Sequence, residues 1–197
     1  STNNGTTWTA VNSGLTDTYV RALAVSDTNL FAGTSGDGVF LSTNNGMSWA
    51  PVNIGLTNRY VFSLAVNASG HCFAGTGNPG SVFRSSDDGN SWTAVLQLFL
   101  PLDVQSLVID STGDIFAGTN GLGIISSTDN GGNWTLVNAG LVNYDIRALA
   151  VSDTSLFAGT ADGVFLSTNN GTIWQAVSAG LINANVRALA ASGTNLF

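Results

Sequence analysis

Short apolar runs alternate with polar, turn-forming segments along the whole chain. The runs are rich in Val, Leu, Ile and Phe, and the segments between them consist mainly of Gly, Asn, Asp, Ser and Thr. Runs of this kind, bounded by turn formers, predict β-strands. Lys and Glu, two strong helix formers, are absent from the sequence, which also argues against a helical bundle. The pattern therefore predicts an all-β fold with many turns.

The pattern is also periodic. The five tryptophans of the chain lie 41, 43, 42 and 40 residues apart, each at the end of a similar octapeptide. These octapeptides are STNNGTTW (1–8), STNNGMSW (42–49), SSDDGNSW (85–92), STDNGGNW (127–134) and STNNGTIW (167–174). The sequence thus divides into five repeats, at residues 1–41, 42–84, 85–126, 127–166 and 167–197.

Each repeat contains four predicted strands. We name them A (VRALAV type), B (LFAGT type), C (GVFLS type) and D, which starts at the tryptophan. Four strands in about 42 residues is the period of a β-propeller blade. Small residues dominate strand A, which predicts that A is the innermost strand, where blades crowd near the axis. We expect five A strands, five B strands with the last cut short, four C strands and five D strands.

The two ends of the sequence bear on how many blades there are. The chain opens with a predicted strand D and stops inside a predicted strand B. Residues 1–197 are expected to form one propeller domain with an incomplete last blade. Either the N-terminal strand closes a five-bladed ring, or the chain is an arc of a larger propeller. Strand C of the shared blade is missing in the closed ring, so we expect the natural chain to be longer.

Charge and composition exclude several classes of function. The net charge is −7, with five arginines and twelve aspartates as the only residues of those charges. This balance argues against binding to nucleic acid or to anionic lipid, and no apolar run is long enough for membrane insertion. The single cysteine, Cys72, permits neither an internal disulfide nor a thiolate metal site, and His71 beside it has no partner at ligand spacing. We expect no cofactor and no metal.

The octapeptides match the pattern S-x-[DN]-x-G-x-[TS]-W. This resembles the Asp-box, or bacterial neuraminidase repeat, of sialidases, sortilin-type receptors, xyloglucan-degrading propellers and photosystem II assembly factors. The resemblance covers nearly the whole chain and implies a propeller. Its structural residues here are Asn3, Trp8, Asn44, Trp49, Asp87, Trp92, Asp129, Trp134, Asn169 and Trp174.

A turn explains the octapeptide better than catalysis does. In three of the five octapeptides the third residue is Asn, and Asn cannot replace a catalytic carboxylate. We expect this side chain to bond backbone N–H groups two residues on, the glycine to adopt positive φ, and the tryptophan to be buried against the blade.

Candidate ligand-binding residues lie where strand A begins. The loops from D to A vary between repeats, whereas the octapeptides hardly vary, so we expect binding on the D-to-A side. Arginines at a narrow channel mouth would attract an anion or a carboxylate. Alternatively, the two aspartates beside them pair with the arginines and close the mouth. The predicted mouth residues are Arg21, Phe62, Gln105, Arg147 and Arg187, with Asp103 and Asp145.

One D-to-A loop departs from the others. Residues 96–103, LQLFLPLD, replace the usual NxGLxxxY pattern. Leu98, Phe99 and Leu100 then form either a contact patch for a partner or local packing against a neighbouring blade.

Three functions remain open. The first is a non-catalytic, secreted or cell-surface bacterial propeller that binds a protein, a glycan or another copy of itself; the Lys-free, Glu-free composition is typical of such proteins. The second is a fragment of a glycoside hydrolase. A sialidase site needs a Glu, which is absent, but a xyloglucanase-like pair of Asp103 and Asp145 stays possible. The third is a propeller-type assembly factor that uses an arginine patch.

Overall fold

A computed structural model describes residues 1–193 and 195–197, which form antiparallel sheets and no helix. Four sheets have four strands each, and we call them blades 1 to 4. Blade 1 contains β1 (Val20–Ser26), β2 (Asn29–Thr34), β3 (Val39–Ser42) and β4 (Ala50–Pro51). Blade 2 contains β5 (Val61–Val66), β6 (Cys72–Thr76), β7 (Ser81–Ser85) and β8 (Thr93–Gln97).

Blades 3 and 4 repeat the same order. Blade 3 contains β9 (Val104–Ile109), β10 (Ile115–Thr119), β11 (Ile124–Ser127) and β12 (Thr135–Leu136). Blade 4 contains β13 (Ile146–Ser152), β14 (Ser155–Thr160), β15 (Gly163–Ser167) and β16 (Gln175–Ala176). A fifth, two-stranded sheet contains β17 (Ala191–Ser192) and β18 (Asn195–Leu196).

This architecture confirms the predicted fold of four-stranded antiparallel blades. Within each blade the strands pair in chain order, A to D. The A strands of successive blades, β1, β5, β9, β13 and β17, contact one another. Strand A is therefore the innermost strand, as its small side chains predicted.

The predicted N-terminal strand D is wrong. Residues 1–19 form no strand in the structure. The reason is that none of the described residues forms a strand C beside this segment to pair with it. The sheet of β17 and β18 likewise has only two strands among the described residues, so the N-terminal segment does not close a ring there. The blades form an open arc.

The hydrophobic core lies between blades rather than within one. Strands B and C supply its largest fully buried side chains, which are Phe31, Phe73 and Phe116 from strand B and Phe40 and Phe83 from strand C. One core cluster joins Phe31 and Val39 of blade 1 to residues of blade 2, and two similar clusters join the next pairs of blades. A blade therefore needs a neighbour to bury its apolar face.

The octapeptide, which we call the box, forms a type I′ turn between strands C and D. Its fourth and fifth residues both have positive φ, 52–62° and 75–90° respectively, and Asn-Gly or Asp-Gly suits this turn. The third residue works differently from the prediction, because its side chain bonds the N–H four residues on and not two. Asn44 Oδ1, for example, accepts from Ser48 N at 2.9 Å and from the Ser42 hydroxyl at 2.9 Å. The side chain thus spans the whole turn.

From the third box onward, each box tryptophan ties its blade to the preceding one, because its indole Nε1 donates to a backbone carbonyl in or directly after strand D of that blade. Trp49 of the second box makes the same bond to the N-terminal segment, which forms no strand. The four pairs are Trp49 with Val11 (2.8 Å), Trp92 with Val52 (2.7 Å), Trp134 with Val95 (3.0 Å) and Trp174 with Val137 (2.8 Å). The tryptophans were predicted to be buried against the blade, which is wrong for Trp8: its side chain is 80% exposed, because no blade of the described residues packs against it.

A glycine in the D-to-A loop permits this contact. The backbone N–H of Trp174 donates to Ala139 O at 2.8 Å, which brings the Trp174 carbonyl against Gly140. A Cβ on Gly140 would overlap that carbonyl oxygen, and φ there is +91°. Gly14 and Gly55 meet Trp49 and Trp92 in the same way.

Substitution of Gly140 should therefore cost more than substitution of an unconfined glycine with the same backbone. Gly113 is the matched control, since its φ is +93° and nothing lies within 4 Å of its ideal Cβ. We expect Gly113→Ala to lower the free energy of unfolding by about 1 kcal/mol through backbone strain. Gly140→Ala should lower it by at least about 3 kcal/mol, because the Trp174 contact is also lost. Urea denaturation measures both, and equal losses would contradict the close-contact role.

The two boxes that have aspartate at the third position should make the free energy of unfolding depend on pH. The Asn133 N–H, the Asn133 side chain and the Ser127 hydroxyl lower the pKa of Asp129 to about 2, and the Ser91 hydroxyl and N–H lower the pKa of Asp87. A carboxylate whose folded-state pKa lies below its unfolded value of about 4 stabilises the fold above pH 4 and loses that effect as pH falls toward 2.

The corresponding variant is Asp87→Asn, because Asn44 shows how Asn fits a box with the same Ser partner. We expect its urea midpoint to fall less than that of the unmodified chain between pH 5 and pH 2. Parallel pH profiles for the two proteins would contradict a role for Asp87 ionisation.

Candidate functional site

The loops lie on two opposite faces of the blades. The D-to-A and B-to-C loops share one face, where Gly38 N bonds Arg59 O and the Asn143 side chain bonds Asp162. We call this the loop face. The boxes and the A-to-B turns share the other face, where Asn67 bonds the Asn130 side chain at 2.9 Å. We call this the box face.

Charge is distributed unevenly between these faces. Four of the five arginines lie on the loop face, at Arg21, Arg59, Arg147 and Arg187, together with five of the twelve aspartates. The remaining arginine, Arg84, donates to Asn130 O of a box. Most of the net charge of −7 therefore lies on the box face, and an anionic partner would meet less repulsion on the loop face.

Three of the five predicted mouth residues line one cavity. Gln105, Arg147 and Arg187 lie around an open space of about 520 Å³, together with Asn120 and Asp145. They come together because strand A is innermost: Gln105 and Arg147 are the second residues of β9 and β13, and Arg187 lies in the segment that leads into β17. We call this cavity the channel mouth.

The two arginines of the channel mouth differ in their partners. Arg147 is paired with Asp145, with Nη2 to Oδ2 at 2.7 Å and Nε to Oδ2 at 2.9 Å, and it also donates to the Asn185 side chain. Arg187 is exposed and has neither an ion pair nor a side-chain hydrogen bond to any described residue. Arg187 is thus the arginine of the mouth that is available to an anion.

The first predicted arginine does not line this cavity. The Arg21 guanidinium lies over the Phe62 ring, 4.4 Å from its centroid, and its Nε donates to the Ser35 hydroxyl. A cation–π contact of this kind is worth up to about 1 kcal/mol at an exposed site. The predicted set of three arginines around one mouth is therefore reduced to two.

The predicted pairing of both aspartates with arginines is right for Asp145 and wrong for Asp103. Asp103 accepts from Asn78 N at 2.9 Å and from Asn120 Nδ2 at 3.0 Å. Asn120 reaches it from the B-to-C loop of blade 3 and also bridges to Asp145 by backbone pairing. Asn120 was not among the site residues predicted from the sequence. What distinguishes it is an amide side chain directly after FAGT, where the other repeats have Ser35, Gly77 or Ala161.

The divergent loop at residues 96–103 has one buried side chain and two exposed ones among its three predicted contact residues. Leu98 is buried, and its N–H donates to Gly80 O at 2.8 Å, so this residue packs locally. Phe99 and Leu100 are 91% and 51% exposed, so they remain available to a partner. Phe99 lines an open cleft of about 540 Å³, which we call the Phe99 cleft. The cleft also contains Arg59, Tyr60, Asn58 and Gln97.

The thiol and the imidazole lie away from both cavities. Cys72 is completely buried in the core, and burial, with a contribution from Asp88, raises its pKa to about 12. The neighbouring His71 has a buried Nδ1 without a hydrogen-bond partner in the described chain. Within the described ranges, no group of three or more His, Cys, Asp or Glu side chains is arranged to hold a metal ion.

Sequence comparison places the chain in a family. The DUF6242 β-propeller domain matches residues 54–192, which is more than half of the chain. The chain belongs to the DUF6242 β-propeller domain family. A search of curated proteins found no match.

Solved structures similar to this DUF6242 propeller share its fold at low identity. The extracellular domain of a B. thetaiotaomicron hybrid two-component system is 21% identical, with a TM-score of 0.72, and the match covers 86% of this chain and 24% of that one. The GH74 xyloglucanase of Xanthomonas campestris is 16% identical, with a TM-score of 0.70 and coverage of 90% and 32%. YCF48 bound to D1 peptide is 15% identical, with a TM-score of 0.65 and coverage of 88% and 58%.

These matches establish the fold and leave the activity open. The chain spans less than two thirds of each of the three structures. Among the residues that the structure describes, no helix has the length and apolar character needed to cross a membrane.

The buried thiol provides a test of this part of the structure. Because the pKa of Cys72 is about 12 and the side chain is inaccessible, we expect a disulfide reagent such as DTNB to react with the folded chain at least about 1,000-fold more slowly than with a free thiol at pH 8. Denaturation in guanidinium should restore the normal rate. Fast reaction of the folded chain would contradict the burial of Cys72.

Proposed function

We propose that this chain is a non-catalytic binding domain of a secreted or cell-surface protein and that it binds its partner on the loop face. One observation supports this above all others: the two carboxylates best placed for hydrolysis are both engaged. Asp145 is paired with Arg147 in the channel mouth, and Asp103 accepts two hydrogen bonds from Asn78 and Asn120. A general acid or nucleophile needs to face its substrate instead.

The binding surface would consist of the channel mouth and the Phe99 cleft. The exposed Arg187 offers a charged hydrogen-bond donor for a carboxylate or another anion. Phe99 and Tyr60 offer exposed aromatic rings beside the amides of Asn58 and Gln97. Aromatic rings and arginine are enriched at the energetically important positions of protein interfaces. Both a protein and a glycan present groups that suit this combination.

Family resemblance and relatives support the location. We infer that the five boxes are Asp-boxes of the bacterial neuraminidase repeat type, and that residues 1–197 act as one propeller domain. One similar structure is the extracellular domain of a bacterial signalling protein, which supports a place outside the cytoplasm. Binding of a peptide by a similar propeller, in YCF48 with D1 peptide, supports recognition of a protein segment, as in an assembly factor.

A glycoside hydrolase fragment is the second candidate. The similarity to a GH74 xyloglucanase supports it, with catalytic residues then lying outside this segment. Incubation of the chain with xyloglucan, followed by a reducing-sugar assay, tests the form of this candidate in which Asp103 and Asp145 are the catalytic pair. We expect no new reducing ends; release that is lost in Asp103→Asn or Asp145→Asn would overturn the non-catalytic proposal.

Arg187 provides the direct test of binding. In isothermal titration calorimetry we expect the chain to bind oligogalacturonate, an acidic glycan. Neutral cello-oligosaccharides of the same length should show no binding. Arg187→Ala should weaken binding at least about tenfold, because that is the usual loss of affinity when one charged hydrogen bond is removed. Arg21→Ala is the matched control, because it removes an exposed arginine of the loop face that lines neither the channel mouth nor the Phe99 cleft. Equal losses in both variants would contradict a role specific to the mouth.

A further inference from the structure

The Phe99 cleft is built from features that blade 2 does not share with the other blades. Its lining residues all fall within 57–99, and blade 2 has a complete blade on each side. The B-to-C loop of this blade, residues 77–81, has five residues, whereas those of blades 1, 3 and 4 have three or four. In blades 1 and 3 an asparagine of the D segment, such as Asn53, donates to the B-to-C loop, and Leu96 replaces it in blade 2. The cleft is therefore a local feature of one blade.

Several backbone groups around the cleft are used within the protein. The Asn58 side chain donates to Gly77 O at 2.7 Å and to Pro79 O at 3.2 Å, and Leu98 N donates to Gly80 O at 2.8 Å. These bonds join the three loops that line the cleft and fix their relative positions. An extended peptide that adds to a sheet is recognised through backbone hydrogen bonds, and it would find few partners here.

The polar side chains of the cleft, in contrast, are uncommitted. Ser81 is only 7% exposed, and its hydroxyl makes no hydrogen bond with any described residue. Within the described ranges, the only fully enclosed side-chain polar atom without a partner is His71 Nδ1, so the Ser81 hydroxyl is open to the cleft that it lines. Gln97 and Asn78 also line the cleft, with exposed side chains that make no internal hydrogen bond to the described residues. Hydroxyl and amide groups both donate and accept, as the hydroxyls of a sugar do.

Two aromatic rings and one arginine complete the lining. The side chains of Phe99 and Tyr60 are 91% and 59% exposed. The face of an aromatic ring is negative, so it attracts the C–H face of a pyranose, which is apolar and has a small positive charge. Arg59 is exposed and makes no ion pair, and no aspartate lines the cleft in the part of the chain that the structure describes. In a chain of net charge −7, this local positive charge favours a sugar that has a carboxylate.

We propose that the Phe99 cleft binds a uronic-acid residue of an acidic glycan. The pyranose would lie against the exposed aromatic rings, its hydroxyls would bond Ser81 and Gln97, and its carboxylate would bond Arg59. The assignment rests on the proposed binding function of the loop face and narrows the partner to an acidic glycan. It is separate from the channel mouth, because no residue lines both cavities.

Nuclear magnetic resonance of the isotope-labelled 197-residue chain tests the proposal. The probes are methyl galacturonide and methyl galactoside, which differ only by a carboxylate in place of a hydroxymethyl group. The side-chain amide signal of Gln97 reports on the cleft, and the Nε–H signal of Arg187 reports on the channel mouth. At about pH 6, where the carboxylate is ionised, we expect the Gln97 signal to give a dissociation constant about tenfold lower for galacturonide than for galactoside.

Phe99→Ala tests the contact with the pyranose face. It should raise the dissociation constants of both sugars about tenfold, because the exposed ring is lost. Leu100→Ala is the matched control, since Leu100 is an exposed neighbour that does not line the cleft, and it should leave both constants unchanged. Ser81→Ala should weaken both sugars about threefold and keep the thermal midpoint, because the free protein loses no internal hydrogen bond.

Arg59→Gln tests the carboxylate contact by itself. It should reduce the affinity for galacturonide to that for galactoside and leave the affinity for galactoside unchanged. Loss of folding would weaken both sugars alike, so the ratio of the two constants separates recognition from stability. The Gln97 signal remains available in this variant as the reporter of the cleft.

The outcomes distinguish this inference from the proposed function. A shift of the Arg187 signal with none of the Gln97 signal would keep binding on the loop face and overturn the cleft assignment. A shift of neither signal would overturn the assignment and also remove the support that acidic sugars give to the loop-face proposal. Unchanged affinity in Phe99→Ala, or a retained preference for galacturonide in Arg59→Gln, would overturn the assignment as well. Tighter binding of tetraglutamate than of methyl galacturonide at the Gln97 signal would replace the glycan by an acidic peptide.

Discussion

The contact between a box tryptophan and the preceding blade is the interaction on which the arc depends. Strand D is held only weakly within its own blade, because it pairs with strand C over only two residues in blades 1, 3 and 4. The indole bond, the Trp backbone bond and the glycine that admits the Trp carbonyl fix strand D from the neighbouring side instead. Stability is then a property of pairs of blades, as in other repeat proteins.

The same constraint leaves the loop face free to vary. Because the box face holds the blades together, substitutions there disturb the packing of blades, whereas the D-to-A loops need to keep only the glycine and the leucine that pack beneath the next blade. The loop at residues 96–103 departs even from this pattern, yet Leu98 still packs and Phe99 is released to solvent. The candidate binding residues thus lie on the loop face, where the glycine and the leucine of the D-to-A loop also contribute to packing between blades.

Strand order and turn positions could be predicted from the sequence, because each depends on residues close together in the chain. Strands A, B and C follow from apolar runs, and the turn in each box follows from Asn-Gly or Asp-Gly. The N-terminal strand D was predicted wrongly because a strand requires a pairing partner as well as a suitable composition. The local pattern of residues 8–12 resembles the other D segments, but no strand C lies beside it.

The partners of the loop-face side chains could not be predicted, because they come from other blades. The repeat places Arg21, Arg147 and Arg187 at equivalent positions, and yet their surroundings differ. Phe62 of the next blade covers Arg21, Asp145 binds Arg147, and Arg187 lies beside the incomplete last sheet. Asn120 holds Asp103 away from the arginines through a contact between loops 17 residues apart. Equivalent positions therefore do not imply equivalent chemistry.

The hydrogen bonds of the first box, which form without any neighbour, have a consequence for how the chain reaches its native state. Those bonds span at most four residues, whereas the tryptophan contacts between blades span 37 to 40. Contacts between residues close in sequence form fastest. Hairpin turns would accordingly appear first, single sheets next, and docking of sheets last. During synthesis on the ribosome, each newly emerged sheet would find its predecessor already available as a template.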